Sequence, residues 1–295
     1  MKIKRSKGDL ITDGIIATIM IITMIVCLYP IWFTIIASFS DPIEIVAGRV
    51  LLLPSKFTLA GYESLLEHAS LLRGYRNTVL YMFGGTFMML AVTLPVGYAL
   101  SKRKLPGRLA INTFFILTMY FSGGLLPTFV LHSSIGWVDT PWVLLVPSCM
   151  AVYNMILFRS ACDAMPSELY EAAIMDGCND FRYFFTFSIP LCKATIAVLF
   201  LFGALSWWNE YMRFSIYIRT PALQTVQVTI RQVVNNISTA VDPEVATSEE
   251  LAEIQRKTLL LRYSTITCVS LPFIIIYPFV QRYFNQGVML GAVKG

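Results

Sequence analysis

The sequence predicts an all-α protein that crosses a membrane six times. Three observations carry that prediction. Of 295 residues, 56% are hydrophobic and only 14% are charged, whereas a soluble domain needs about a quarter to cover its surface. The mean hydropathy is +0.64. The apolar residues gather into runs free of Asp, Glu, Lys and Arg, most of them long enough to cross hydrocarbon as helices. This composition excludes disorder, a disulfide scaffold and an ordinary cytosolic enzyme. The predicted organisation is a cytoplasmic N-terminus over 1–13 and one six-span domain over 14–295.

The first span, about 14–40, follows Lys2, Lys4, Arg5 and Lys7. Its apolar run is longer than the roughly 7–15 residues of a signal-peptide core, so it reads as an uncleaved anchor. The second span covers about 77–101 and the third about 109–132. The fourth covers about 140–159 and ends at Arg159. The fifth, about 191–211, has a short apolar run that needs Lys193 to snorkel and its aromatic end to sit at the interface. The sixth covers about 262–282 and is bracketed by Arg262 and Arg282.

Basic residues orient these spans, because short cytoplasmic loops concentrate Lys and Arg. The N-terminus is basic, and so is the second loop, with Lys102, Arg103, Lys104 and Arg108. The short third loop, Ile135 to Asp139, has no Lys or Arg. The first loop, Asp41 to Arg76, is long and balanced in charge. Both termini are therefore expected in the cytoplasm, and the loop over about 212–261 outside. That outer loop holds a predicted helix around Ala222 to Asn235 and an acidic stretch from Asp242 to Glu253.

Between spans four and five lies the most informative segment, about 163–188. Pro166 and Ser167 open a helix, and Glu168 and Glu171 follow where carboxylates favour the helix dipole. Gly177 stops or turns it. Asn179 to Ser188 then forms a second, aromatic-rich helix with Phe181, Tyr183, Phe184, Phe185 and Phe187. Pro190 leads into the fifth span. This composition fits a simple interfacial loop. The small pair Ala172-Ala173 also fits close docking of another protein.

Chemistry on the chain itself is sparse. The six cysteines contain no C-x-x-C pair, and the two histidines, His68 and His132, have no Cys or Asp at ligand spacing. No metal site and no catalytic residue are expected. No GxxxxGK[ST] occurs, so no nucleotide is expected on this chain by that route.

The pattern Glu171-Ala172-Ala173, then Gly177, then Pro190 resembles the EAA signature of ABC importer permeases, E-A-A-x3-G-x9-I-x-L-P. Phe187 replaces the Ile and Ile189 the Leu, both keeping apolar character. Gly97-Tyr98-Ala99-Leu100-Ser101-Lys102-Arg103-Lys104-Leu105-Pro106-Gly107-Arg108, Gly136-Trp137-Val138-Asp139-Thr140 and the ending Gly291-Ala292-Val293-Lys294-Gly295 are similar to carbohydrate-type members of that family. Phe121-Ser122-Gly123-Gly124-Leu125-Leu126-Pro127-Thr128 resembles the branch that imports oligosaccharides or acidic polysaccharide fragments, including uronate oligomers such as alginate.

The resemblance implies a type I ABC importer-like fold in a bacterial inner membrane. It implies a second homologous permease as a heterodimeric partner, two ATPase subunits holding ATP and Mg, and an extracytoplasmic solute-binding protein. No nucleic acid is expected. The 163–188 segment would hold the coupling helix. Glu171 and Asp176 would be polar contacts in the ATPase socket, Ala172 and Ala173 would allow close approach, and Gly177 would make the turn. Pro190 completes the pattern.

For the translocation path, Trp207, Asn209, Glu210 and Tyr211 suit a sugar, since rings stack on C–H faces and polar groups meet hydroxyls. They equally suit an interfacial aromatic belt. Gly123 and Gly124, with Pro127, mark either an unwound, path-lining stretch or close packing with a kink. Two other classes compete. A secondary transporter or channel would be expected to hold ionisable residues in mid-span, and the six runs have none. An intramembrane enzyme needs a catalytic set inside the bilayer, and none is evident.

Overall fold

The computed structural model describes residues 7–67, 69–238, 253–272 and 274–275. In chain order the helices are α1 (Lys7–Ser38), α2 (Pro42–Val46), α3 (Ala60–Glu67), α4 (Ala69–Ser101), α5 (Arg108–Tyr120), α6 (Leu125–Ser134) and α7 (Trp142–Leu145). They continue with α8 (Val152–Asp163), α9 (Ser167–Met175), α10 (Asp180–Tyr183), α11 (Ile189–Leu191), α12 (Lys193–Asn209), α13 (Met212–Tyr217) and α14 (Val226–Ser238). A further helix, α15, runs over 253–272. Among the described residues no strand occurs. Among the described residues, three helical stretches are long and apolar enough to cross a membrane, or up to five if each of two bent pairs is one span.

The first compact unit comprises the chain up to residue 68 together with residues 231–272. Its α1 is apolar on nearly every face and exposes Ile15, Ile19, Ile22 and Ile25, as a lipid-facing helix must. Hydroxyls in such a helix need partners, because hydrocarbon supplies none. Thr18, Thr23 and Thr34 each donate to the carbonyl four residues back, all at 2.8 Å. Beyond α1, Asp41 caps α2 by accepting from the Ile43 N–H. Buried Glu44 takes Lys56 at 2.8 Å and Arg49 at 3.4 Å. Tyr62 on α3 meets Ser38 at 2.6 Å, and Arg256 of α15 pairs with Asp41 at 2.9 Å.

The second unit comprises residues 69–230 together with residues beyond 272. Helix α4 runs through it and packs on α8 and α12. With no hydrophobic drive between helices in lipid, small residues bring backbones close. A Cβ at Gly85 would overlap the Trp207 ring, and one at Gly97 would lie 3.0 Å from the Met155 carbonyl. These two glycines set the α4–α12 and α4–α8 seams. Around the α4–α8 seam, Tyr98, Phe158, Tyr183, Phe184 and Leu199 form one buried cluster. Tyr81, Val143, Trp207, Phe214 and Tyr217 form another.

Several boundaries differ from expectation. Helix α4 starts at Ala69, so Arg73 and Arg76 ride on the helix rather than in a loop. The helix is therefore longer than its charge-free run, 77–101. The third predicted span is not one helix. It breaks after Tyr120, and α5 and α6 meet at 109°. Gly124 takes φ +81, which no continuing right-handed helix accommodates. The fourth predicted span appears as Trp142–Asp163, interrupted by a 3-10 turn at Pro147–Cys149. The helix expected around Ala222 to Asn235 is α14, preceded by the 3-10 turn Pro221–Leu223. Most of the acidic stretch, the end of the sixth predicted span and the C-terminal tail lie outside the described residues.

Candidate functional site

The segment after α8 folds as a helix, a glycine turn and a second helix. Helix α9 begins at Ser167 behind Pro166. It ends in paired turn bonds: the Cys178 N–H donates to the Ala173 carbonyl at 2.9 Å, and the Gly177 N–H to that of Ile174 at 3.0 Å. This is the helix stop that requires a left-handed residue, and Gly177 supplies it with φ +79. Asn179 then caps α10 by accepting from the Arg182 N–H at 2.8 Å. A π-helical turn, Phe184–Ser188, and α11 follow, and the chain bends by 81° into α12.

The predicted residues of this turn divide. Glu171, Ala172, Asp176 and Gly177 are exposed. Ala173 is 6% exposed and faces the α4–α8 cluster, so its small size serves packing within the chain. Pro190 lies on α11, past the π turn, at the bend into α12. Met175 is 87% exposed, an apolar side chain presented beside Asp176.

Sequence reasoning missed what holds this segment in place. Lys102, directly after α4, turns its Nζ to 3.5 Å from the centroid of the Tyr170 ring, 4.4 Å from that of Tyr98 and 4.9 Å from that of Tyr183. The same ammonium lies 3.5 Å from Asp180 Oδ1. The Tyr98 and Tyr170 hydroxyls donate to that oxygen at 3.2 and 3.0 Å. A cation over π faces with a carboxylate beside it is a favourable electrostatic seat. Burial pushes the Lys102 ammonium below its usual range, while Asp180 pulls it back up. Burial and the bond to Asp180 both raise the Tyr170 phenol. In the sequence Lys102 is only one of four basic loop residues. Its partners come from three elements, so spacing does not reveal the group.

A cavity of about 680 Å³ opens between α4, the 147–154 stretch and α12. Its lining includes Ser148, Tyr153, Asn154, Trp207, Asn209 and Arg213. Of the predicted path residues, Trp207 and Asn209 line it; Gly123, Gly124, Glu210 and Tyr211 do not. Glu210 acts indirectly, since its Oε2 takes the Arg213 guanidinium at 2.6 Å. Arg213 also donates to Ser148 Oγ at 2.8 Å and lies 5.9 Å from the centre of the Trp207 ring. Gly123 and Gly124 form the exposed break between α5 and α6. Arg213, Ser148 and Asn154 were not expected here. The polar positions in the otherwise apolar 140–159 run were the available signal. Among the described residues no group of three or more His, Cys, Asp or Glu side chains could hold a metal ion.

On the short turn before α7, Asp139 has φ +64 and accepts from the Arg219 N–H, the Thr220 N–H and Thr220 Oγ1 at 2.8, 2.8 and 2.7 Å. These bonds to Thr220 and Arg219 hold its carboxyl below the usual range.

Residues 4–290 match the family model described as the binding-protein-dependent transport system inner membrane component. The chain is 31% identical to the polygalacturonan/rhamnogalacturonan transport system permease protein YtcP of Bacillus subtilis, over 96% of this chain and 98% of that one. It is 27% identical to the arabinooligosaccharides transport system permease protein AraQ of Halalkalibacterium halodurans, over 92% of each chain. It also resembles a solved chain of a bacterial ABC transporter involved in the import of the acidic polysaccharide alginate. That likeness has a TM-score of 0.83 at 28% identity and covers 96% of this chain and 100% of that one.

Proposed function

This chain belongs to the family of binding-protein-dependent transport system inner membrane components, and from that premise we propose how it carries a sugar. It is a permease subunit of an ABC transporter. Its cargo is an oligosaccharide or a polysaccharide fragment, with uronate oligomers as leading candidates. Two of the proteins it resembles are named for acidic polysaccharides. The cavity chemistry is compatible with that class. Trp207 contributes an aromatic wall, and Ser148, Asn154, Asn209 and Arg213 offer donors and acceptors for hydroxyls.

The chain crosses the inner membrane six times with both termini in the cytoplasm, a count that treats α5–α6 as one broken span. The 163–188 segment is the coupling segment, and α9 with the Gly177 turn docks in an ATPase cleft. Partners are a second permease, two ATPase subunits that bind ATP and Mg, and an external binding protein that delivers the sugar. The permease forms no covalent bond to its cargo. ATP binding favours one arrangement of the complex over the other, and the spans alternate the side to which the cavity opens.

The observation that carries this reading is the exposed set Glu171, Ala172, Met175, Asp176 and Gly177, an apolar and acidic knob on a helix whose one buried residue is Ala173. The test is purification from native membranes in mild detergent. An ATPase chain that stays bound and hydrolyses ATP is the expected result. Purification of this chain with no ATPase, from cells that express the whole transporter, contradicts it.

A further inference from the structure

We propose that Lys102 is a positioning residue that locks the coupling segment to the cytoplasmic end of α4, so that displacement of α9 is passed to the cavity walls. The proposal rests on reading 163–188 as the coupling segment.

The need for a lock follows from how little else holds α9. Ala173 is its one buried residue, and loops flank it at 164–166 and 176–179. Beyond Ala173, α9 is held through partly buried Tyr170, which packs on Tyr183, so a push on it is resisted mainly where Tyr170 is anchored. Tyr170 is the polar anchor, one residue before Glu171. Its hydroxyl meets Asp180 on α10 and its ring lies under the Lys102 ammonium. Lys102 is thus the point where the end of α4, helix α9 and helix α10 meet. Removing its charge leaves Asp180 Oδ1 with two neutral donors and takes the central cation from three rings.

The far side of the lock is continuous with the cavity. Helix α4 carries Tyr98 at this end and Met89 on the cavity wall. Its Gly85 and Thr86 fit against Trp207 and Gly203 of α12, and both of those residues line the cavity. Helix α4 runs unbroken from Ala69 to Ser101, with Pro95 inside it, so movement at Lys102 has a continuous path to the cavity walls.

The test uses the complete transporter, purified with its ATPases and placed in lipid vesicles. Ser206→Cys, on the cavity wall, reports accessibility to an impermeant maleimide, with the native thiols subtracted as background. With Lys102 intact, ATP plus vanadate changes the labelling rate. In Lys102→Gln that nucleotide-dependent change falls by about fivefold or more, while the ATPases remain bound and still hydrolyse ATP. Lys102→Arg, which keeps a cation over the rings, restores the response. Tyr170→Leu behaves like Lys102→Gln, and Tyr170→Phe loses less. A Lys102→Gln response equal to the parent overturns the proposal. So does a parallel loss of response, assembly and hydrolysis, which marks a merely structural role. A reporter that ignores nucleotide with Lys102 in place overturns the coupling reading itself, and the lock with it.

Discussion

Glu210 divides its two oxygens between the side chain and the backbone of Arg213. Oε2 takes the guanidinium at 2.6 Å, and Oε1 takes the Arg213 N–H at 3.0 Å. This fixes Arg213 at the cavity wall, bonded to Ser148 and beside Trp207. The arrangement keeps the wall electrically balanced while still presenting N–H donors.

The pair is half exposed on the arginine side, at 38%, and shielded on the glutamate side, at 16%. Removing Arg213 therefore strands the better-shielded charge. Arg213→Ala is expected to destabilise by about 2 kcal/mol and Glu210→Gln by about 1 kcal/mol, discounted for solvent screening. Thermal unfolding in detergent measures both. The double variant should cost less than their sum, because the two residues form one unit. Strict additivity would contradict the pairing.

Gly177 needs its left-handed conformation but not empty space, since a Cβ there meets nothing within 4 Å. Gly177→Ala should cost about 1 kcal/mol and Gly177→Asn less, because Asn tolerates positive φ. Gly177→Asp and Glu171→Lys should abolish uptake while the protein still inserts, since both alter the face proposed to dock on the ATPase. Vesicle uptake at normal protein level checks this. Normal uptake by either variant sinks the coupling reading.

At Gly85 the constraint is the reverse. A Cβ would fall inside the Trp207 ring position, so Gly85→Ala must push Trp207 and reshape the cavity. A cost of about 1–3 kcal/mol is expected, with a shift in tryptophan emission. Unchanged emission and stability would mean that the α4–α12 seam is looser than described.

Asp139 gives a pH signature. Its folded-state pKa lies below the ordinary value of 3.8 because Thr220 and Arg219 donate to the ionised form. The contribution is therefore fully present above that ordinary value and is lost as pH falls through the lower folded value. Asp139→Asn keeps a residue that tolerates φ +64 but removes the charge. The melting-temperature gap between wild type and Asp139→Asn should be constant near neutrality and should close below about pH 4. A gap that persists unchanged into acid contradicts the assignment.

How much was legible follows from what each signal reports. Charge-free runs report apolar stretches and not helix ends, so the middle of α4 was readable and its extension through Arg73 was not. Gly177 was readable because a stop before a new helix needs a left-handed residue. The break at Gly124 fitted two readings, since glycine pairs serve both unwinding and packing. Ala172 and Ala173 were indistinguishable by type, and only the fold turns one inward. Glu210 fitted both a cargo-facing carboxylate and an interfacial belt, and its ion pair with Arg213, one helical turn on, emerges only in the fold. The Lys102 seat was invisible because Tyr98, Tyr170 and Tyr183 meet only after three helices pack.

The most direct test of the central claim places a photo-crosslinking amino acid at Met175, the most exposed apolar residue of α9, in the assembled transporter. The account predicts an adduct with the ATPase subunit, weakened by Glu171→Lys. Adducts to lipid or to the external binding protein, with none to the ATPase in a complex that still contains it, would contradict the account.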